Sequence, residues 1–175
     1  MTVLEQAKKV LPETVLDTVL LRLFGMVKVP LIGYVRPKIL EVNSKRMQML
    51  IPLNRRSRNH LKSMYFGALM IGADVAGAYY AVKLIVEKGY KIDFVFKSAG
   101  ARFKKRPEGD VVFTCEQGAD IEALVARAQE TGERVDTDLK IIATVPSISN
   151  DVVAEMDLVL SLKRRNKKSA RPQEA

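Results

Sequence analysis

The sequence offers few side chains suited to chemistry, and their scarcity is informative. One histidine, His60, and one cysteine, Cys115, stand among 175 residues. That rules out a disulfide framework, a Cys/His zinc site and a spare Cys–His nucleophile couple, and no metal ligand set emerges. A Ser–His–Asp triad would have to recruit His60. Cys115, at the end of the apolar run 111–115, reads as a buried, inert thiol. Asp74 stands out instead, as the one charged residue among the twenty positions between Lys62 and Lys83. At helical spacing its neighbours are Gly67, Met70, Ile71, Gly77, Ala78 and Ala81, a stripe rich in small residues that lets a backbone or a thin ligand approach. An unpaired carboxylate there must meet a donor, stay partly wet or take a raised pKa. Those are the conditions of a general base or nucleophile. The competing reading is a structural acid hydrogen-bonded across a subunit interface. Gly67, Gly72 and Gly77 recur every five residues inside this helix, so they form no phosphate-binding fingerprint, and close packing accounts for them better.

The formal charge is +9, from 29 Lys plus Arg and 20 Asp plus Glu. Residues 163–175 carry six basic residues and one acid, leaving 23 basic and 19 acidic residues in the body. Two further groups are Arg55, Arg56, Arg58 and Lys62, then Lys97, Arg102, Lys104, Lys105 and Arg106. Such patches suit a phosphate-bearing partner, or serve as a solvated face with a solubilising tail. No secretory leader pattern opens the sequence, from which a cytoplasmic location is expected. The apolar stretch 63–82 is long enough to span a bilayer, but an acid at its centre costs about 2.5–3.5 kcal/mol on insertion, so no transmembrane segment is expected.

These residues need elements to position them. Residues 12–24 show helical spacing, with Gly25 as the stop. Residues 36–53 read as two strands around the turn Asn43-Ser44-Lys45. The basic loop 54–62 follows, then a long apolar helix over about 65–88, closed by Gly89. Strands are predicted over 91–103 and 110–116, joined by the turn 105–110. A short amphipathic helix over 118–131 precedes strands 134–145 and 152–163. Short connections imply an antiparallel sheet, and a helix apolar on nearly every side must be wrapped by it. The expected class is α+β. Its divisions are an N-terminal helical segment over 1–34, a main domain over 35–163 and a basic disordered tail over 164–175.

The stretch from Asn54 to Ala78 resembles the loop and central helix of hot-dog-fold acyl-CoA thioesterases of the phenylacetate-degradation type. Those enzymes carry an Asn, then His-Gly entering the helix, then an acid in an Ala-Asp-x-Ala-Gly segment. The spacing carries over as Asn59, Tyr65-Phe66 and Asp74, with Ser98 at a further position the family often uses. Tyr65-Phe66 replaces His-Gly, which brings the chain closer to a branch known only as a domain of unknown function. The resemblance implies a hot-dog fold, a curved antiparallel sheet around one long apolar helix, with the N-terminal helix and the short helical insertion added.

A site shared between subunits follows from geometry as well. Tyr65 and Asp74 lie nine residues apart, ~13 Å along a helix, so one carbonyl cannot meet both in one chain. A two-fold dimer brings the helix start of one subunit beside Asp74 of the other. The resemblance implies that the Phe66 N–H and Asn59 polarise the thioester carbonyl, and that Asp74 activates water or attacks directly. Arg55, Arg56, Arg58 and Lys62, with Arg102, Lys104 and Lys105, would hold the coenzyme A phosphates. Coenzyme A is then part of the substrate, and no separate cofactor is called for. The leading expectation is an acyl-CoA thioesterase-like homodimer, with a tetramer left open. The alternative is a hot-dog protein that binds acyl-CoA or lipid without turnover, as Tyr65-Phe66 would favour. Specific nucleic-acid binding is not expected, because the basic residues lack interleaved aromatics.

Overall fold

A computed structural model describes residues 12–165. The described residues open with two helices, α1 (Glu13–Lys28) and α2 (Pro30–Val35). It continues through β1 (Lys38–Val42), β2 (Met47–Ile51), α3 (Phe66–Glu87), β3 (Ile92–Phe103) and β4 (Val111–Cys115). After α4 (Gly118–Thr131), strands β5 (Val135–Val145) and β6 (Ser149–Arg164) complete the described elements. All six strands form one antiparallel sheet in the order β1-β2-β4-β5-β6-β3. The sheet curves around α3, as expected of the α+β class.

The packing explains the composition of α3. Gly72 lies against Phe113, where an added Cβ would stand 2.3 Å from the ring. Gly77 faces Leu158, Leu139 and Phe96. The glycines thus let the helix sink onto the sheet, with Ala73, Ala76 and Ala81 fully buried beside them. α3 is the one described helix apolar and long enough to cross a membrane, and 56% of its most apolar window is buried inside the fold.

Several expectations need correction. Gly25 does not stop α1, which continues to Lys28. It is where α2 crosses: a Cβ on Gly25 would meet the Gly33 backbone at 2.5 Å, so the small residue serves contact between helices. The connection 104–110 is not a hairpin turn either. β3 lies at one edge of the sheet and β4 three places away, so this loop passes the ends of β6 and β5. On the way the Lys104 N–H donates to the Val153 carbonyl (2.8 Å). β6 begins at Ser149 and reaches Arg164, so the turn before it is shorter than expected and the strand takes in the first residue assigned to the tail. Residues 166–175 of that tail and residues 1–11 of the N-terminal segment lie outside the described residues.

Candidate functional site

The loop 54–64 and the start of α3 are built as one unit. The Asn59 carboxamide oxygen accepts from the Leu61 N–H (2.9 Å) and the Ser63 N–H (3.2 Å), while its nitrogen donates to Ser63 Oγ (3.1 Å). Lys62 completes this tight turn in the left-handed region, at φ 63°. The Tyr65 N–H donates to the Ser57 carbonyl (2.8 Å), and the Met64 N–H to Pro107 (2.9 Å). The last bond ties loop 54–64 to loop 104–110, so the structure does bring the two basic loops together. Asn59, however, is largely spent on its own loop. It keeps one amide N–H for other work, and its main role is to shape the approach to the helix.

Tyr65 caps α3 and Phe66 is its first helical residue. Their rings stack at 4.8 Å, tilted by 59°, and both are about half exposed. First-turn amides have no acceptor within a helix. Among the described residues none accepts from the Phe66 N–H, which leaves a donor at the positive end of the helix dipole.

Asp74 lies two turns further on, half-buried, with no hydrogen-bond or ionic partner among the described residues. Burial pushes its carboxyl above the ordinary range. It is therefore partly wet and raised in pKa, two of the three states open to an acid on that stripe. The helical geometry of 66–87 keeps Asp74 and the helix start of one chain apart, as their spacing predicts.

Ser98 does not join them. Strict alternation along β3 would put Phe94, Phe96 and Ser98 on one face. Instead the register shifts between Phe96 and Ser98, leaving Lys97 as a bulge. Phe96 opposes the buried Leu160 and faces α3, whereas Ser98 opposes Val159 on the outer face. There Ser98 lines an open hollow of about 360 Å³ with Asp138, Lys140 and Asp157. Within one chain it sits on the far side of the sheet from Asp74.

The basic residues divide into two sets. Arg102 pairs with Asp157 at 2.8 Å and also faces Glu155; Lys104 pairs with Glu155, and Lys105 with Asp151 at 2.7 Å. These cations are already matched by the chain's own acids, which weakens them as phosphate ligands. Arg55, Arg58 and Lys62 are exposed with no acid partner among the described residues. The guanidinium of Arg56 lies 5.7 Å from the centroid of the Tyr34 ring on α2. His60 is exposed on the same loop, and burial raises the pKa of the Cys115 thiol, as an inert core cysteine requires.

A second polar cluster was not legible from sequence. Between α1 and α3, Lys83 Nζ donates to Asp17 Oδ2 (2.8 Å) and to Glu13, and Tyr79 Oη donates to Asp17 Oδ1 (3.0 Å). The group borders a groove of about 450 Å³ with apolar walls that include Leu20, Phe24 and Val82. Burial pushes Lys83 down in pKa, but the hydrogen bonds it donates to Asp17 and Glu13 outweigh this, and the net shift is upward. A lysine held cationic by carboxylates is no nucleophile. The cluster fastens α1 to α3.

A curved six-stranded antiparallel sheet around one long helix, with α1 and α2 at its β1 edge, defines a hot-dog-fold protein. The chain belongs to the family described as "Domain of unknown function (DUF4442)", whose model matches residues 18–162 and so includes most of α1 and all of α2. No curated protein matches it. Among solved structures, a protein of unknown function from Pseudomonas aeruginosa, described as a probable thioesterase, is 22% identical with a TM-score of 0.67. It covers 89% of this chain and 97% of its own. A thioesterase from Haemophilus influenzae is 12% identical with a TM-score of 0.63, covering 86% of this chain and 92% of its own. A Chlorobaculum tepidum protein of unknown function is 11% identical with a TM-score of 0.73, covering 87% and 97%. At such identities the likeness is one of fold.

Proposed function

We propose that the protein is a homodimeric acyl-thioester hydrolase, acting on acyl-CoA in the cytoplasm through a site shared by two subunits. One observation carries this reading: an unpartnered, half-buried carboxylate, Asp74, on the central helix of a fold that also serves thioesterases. Nothing in the chain's own packing explains why an acid is retained there at the cost of its burial. β3 supports the dimer, because among the described residues no strand lies beside its outer edge, and residues 97–100 are exposed.

In this reading Asp74 of one subunit takes a proton from water, and the resulting hydroxide attacks the thioester carbonyl carbon. The oxyanion is held by the Phe66 N–H of the other subunit. When the tetrahedral species collapses, the C–S bond breaks and the thiolate takes up a proton, leaving a carboxylic acid and free thiol. Arg55, Arg58 and Lys62 hold the carrier's phosphates. The second reading, binding without turnover, is favoured by the Tyr65-Phe66 ring pair, which puts two bulky aromatic side chains at the helix start.

Thiol release from a panel of acyl-CoAs separates the two readings. Asp74→Asn should slow hydrolysis by roughly 10²- to 10⁴-fold. Phe66→Pro deletes the oxyanion donor while keeping a residue favoured at the first helical position, and Tyr65 at ψ 138° already has the conformation that precedes a proline. It should cost about 10²- to 10³-fold. Mixing the two inactive variants should restore activity. With random exchange about half the dimers are mixed, and each holds one intact site, so about a quarter of wild-type sites return. Acyl-CoA binding without thiol release would establish the second reading. An exchanged mixture that stays dead while wild type turns over would refute the shared site.

A further inference from the structure

The surface of α1 and α2 is at odds with a helix pair that merely packs on its domain. Nine of the sixteen large apolar side chains exposed among the described residues lie between Val15 and Tyr34. On α1 they follow the helical period: Val15, Val19, Leu23, Met26 and Val27 make one stripe, opposite the buried Thr18, Leu21 and Gly25. Leu31, at the start of α2 and four residues beyond Val27, is 65% exposed. A helix apolar on both its inner and outer faces is covered on both in the working state.

Charge identifies what covers the outer face. From Thr18 to Leu40 there is no acid and there are four basic residues. Lys28, Arg36 and Lys38 are exposed with no acid partner among the described residues, and Arg56 joins them through Tyr34. On the sheet surface, Lys97, Arg102 and Lys105 are neutralised by carboxylates, whereas Arg55, Arg58 and Lys62, without an acid partner among the described residues, lie on loop 54–64, which Arg56 links to α2 through Tyr34. A second copy is a poor fit, because a two-fold contact would set these uncompensated cations against themselves. It would also lie at the β1 edge, at the other end of the sheet from β3. An apolar stripe with flanking Lys and Arg is the pattern of a helix lying in a lipid interface, where apolar insertion and attraction to anionic headgroups act together.

We propose that the α1–α2 face docks the protein in the plane of an anionic lipid surface, with Leu23, Val27 and Leu31 inserted and Lys28, Arg36, Lys38 and Arg56 at the headgroups. This does not rest on thioester hydrolysis, and its readout is binding alone. Full-length protein is sedimented with vesicles of phosphatidylcholine, alone or with about one-third phosphatidylglycerol, at low and high salt. Wild type should pellet with the anionic vesicles, at least tenfold more tightly than with phosphatidylcholine, and raised salt should weaken this. Val27→Asp/Leu31→Asp, both at exposed positions, should keep the thermal unfolding of wild type and lose at least tenfold in partitioning. Lys28→Glu/Arg36→Glu should lose it on anionic vesicles only. Failure of wild type to pellet would overturn the proposal. So would pelleting that both variants retain, which would place the contact on residues outside this face. Concentration-dependent self-association of wild type without vesicle binding, abolished in Val27→Asp/Leu31→Asp, would assign the face to a second copy instead.

Discussion

Removing Lys83 tests what holds the N-terminal helices in place. Its side chain is 11% exposed and that of Asp17 is 7%, so Lys83→Met strands a carboxylate with only the Tyr79 hydroxyl as partner. Breaking a buried pair from one side costs about 3–5 kcal/mol, because the remaining charge stays desolvated. For a chain of this size each kcal/mol lowers Tm by about 2–4 °C, giving an expected drop of roughly 6–20 °C at neutral pH. Arg102→Met is the matched control. Arg102 is 58% exposed and also bridges two acids, and such surface pairs are worth about 0–1 kcal/mol. The double variant Asp17→Asn/Lys83→Met removes both charges while keeping an acceptor for Tyr79, and should recover more than half of the loss. Thermal unfolding followed by circular dichroism reads all four proteins. If Lys83→Met costs no more than Arg102→Met, the cluster is solvated in solution and does not fasten α1 to α3.

The Asp74 carboxyl is raised by burial, so its contribution to stability is complete below the ordinary aspartate pKa of about 3.9 and is lost as pH rises through the folded value. Asp74→Asn should therefore raise Tm at neutral pH, with a gain that shrinks to nothing near pH 4; a gain equal at all pH values would show that carboxylate burial is not its source. Gly72→Ala should destabilise the fold by about 1–3 kcal/mol in chemical denaturation despite the better helix propensity of alanine, because the Phe113 ring 2.3 Å from the new Cβ is fully buried and cannot move aside. An unchanged or higher stability would mean that α3 rides above the sheet.

Periodicity and composition determined the elements. The charge-poor run around Asp74 could only be a wrapped helix, and Phe66–Glu87 lies within the span read from sequence. Helix 118–131 has the expected bounds, and the turn at Asn43 is built by that side chain accepting from the Lys45 and Arg46 N–H groups. That Asp74 must find a donor, stay partly wet or take a raised pKa was legible too, because a lone acid among small apolar residues has few other outcomes. All of these are local: a period of 3.6, a turn side chain and a missing charge partner act within a few residues.

Tertiary structure decided the rest, because the competing contacts come from residues far apart in the chain. Gly25 looks like a helix stop until Gly33 is seen against it. Ser98 alternates onto the site face until a bulge at Lys97, set by pairing with β6, turns it outward. Arg102, Lys104 and Lys105 read as an unpaired basic patch until Asp151, Glu155 and Asp157 on the neighbouring strand are seen beside them. Asp17 and Lys83 are 66 residues apart and meet only because α1 folds back over α3. A sequence records which groups need partners; which partner each one finds depends on strand register and helix crossing, and both are settled by the packing of the whole core.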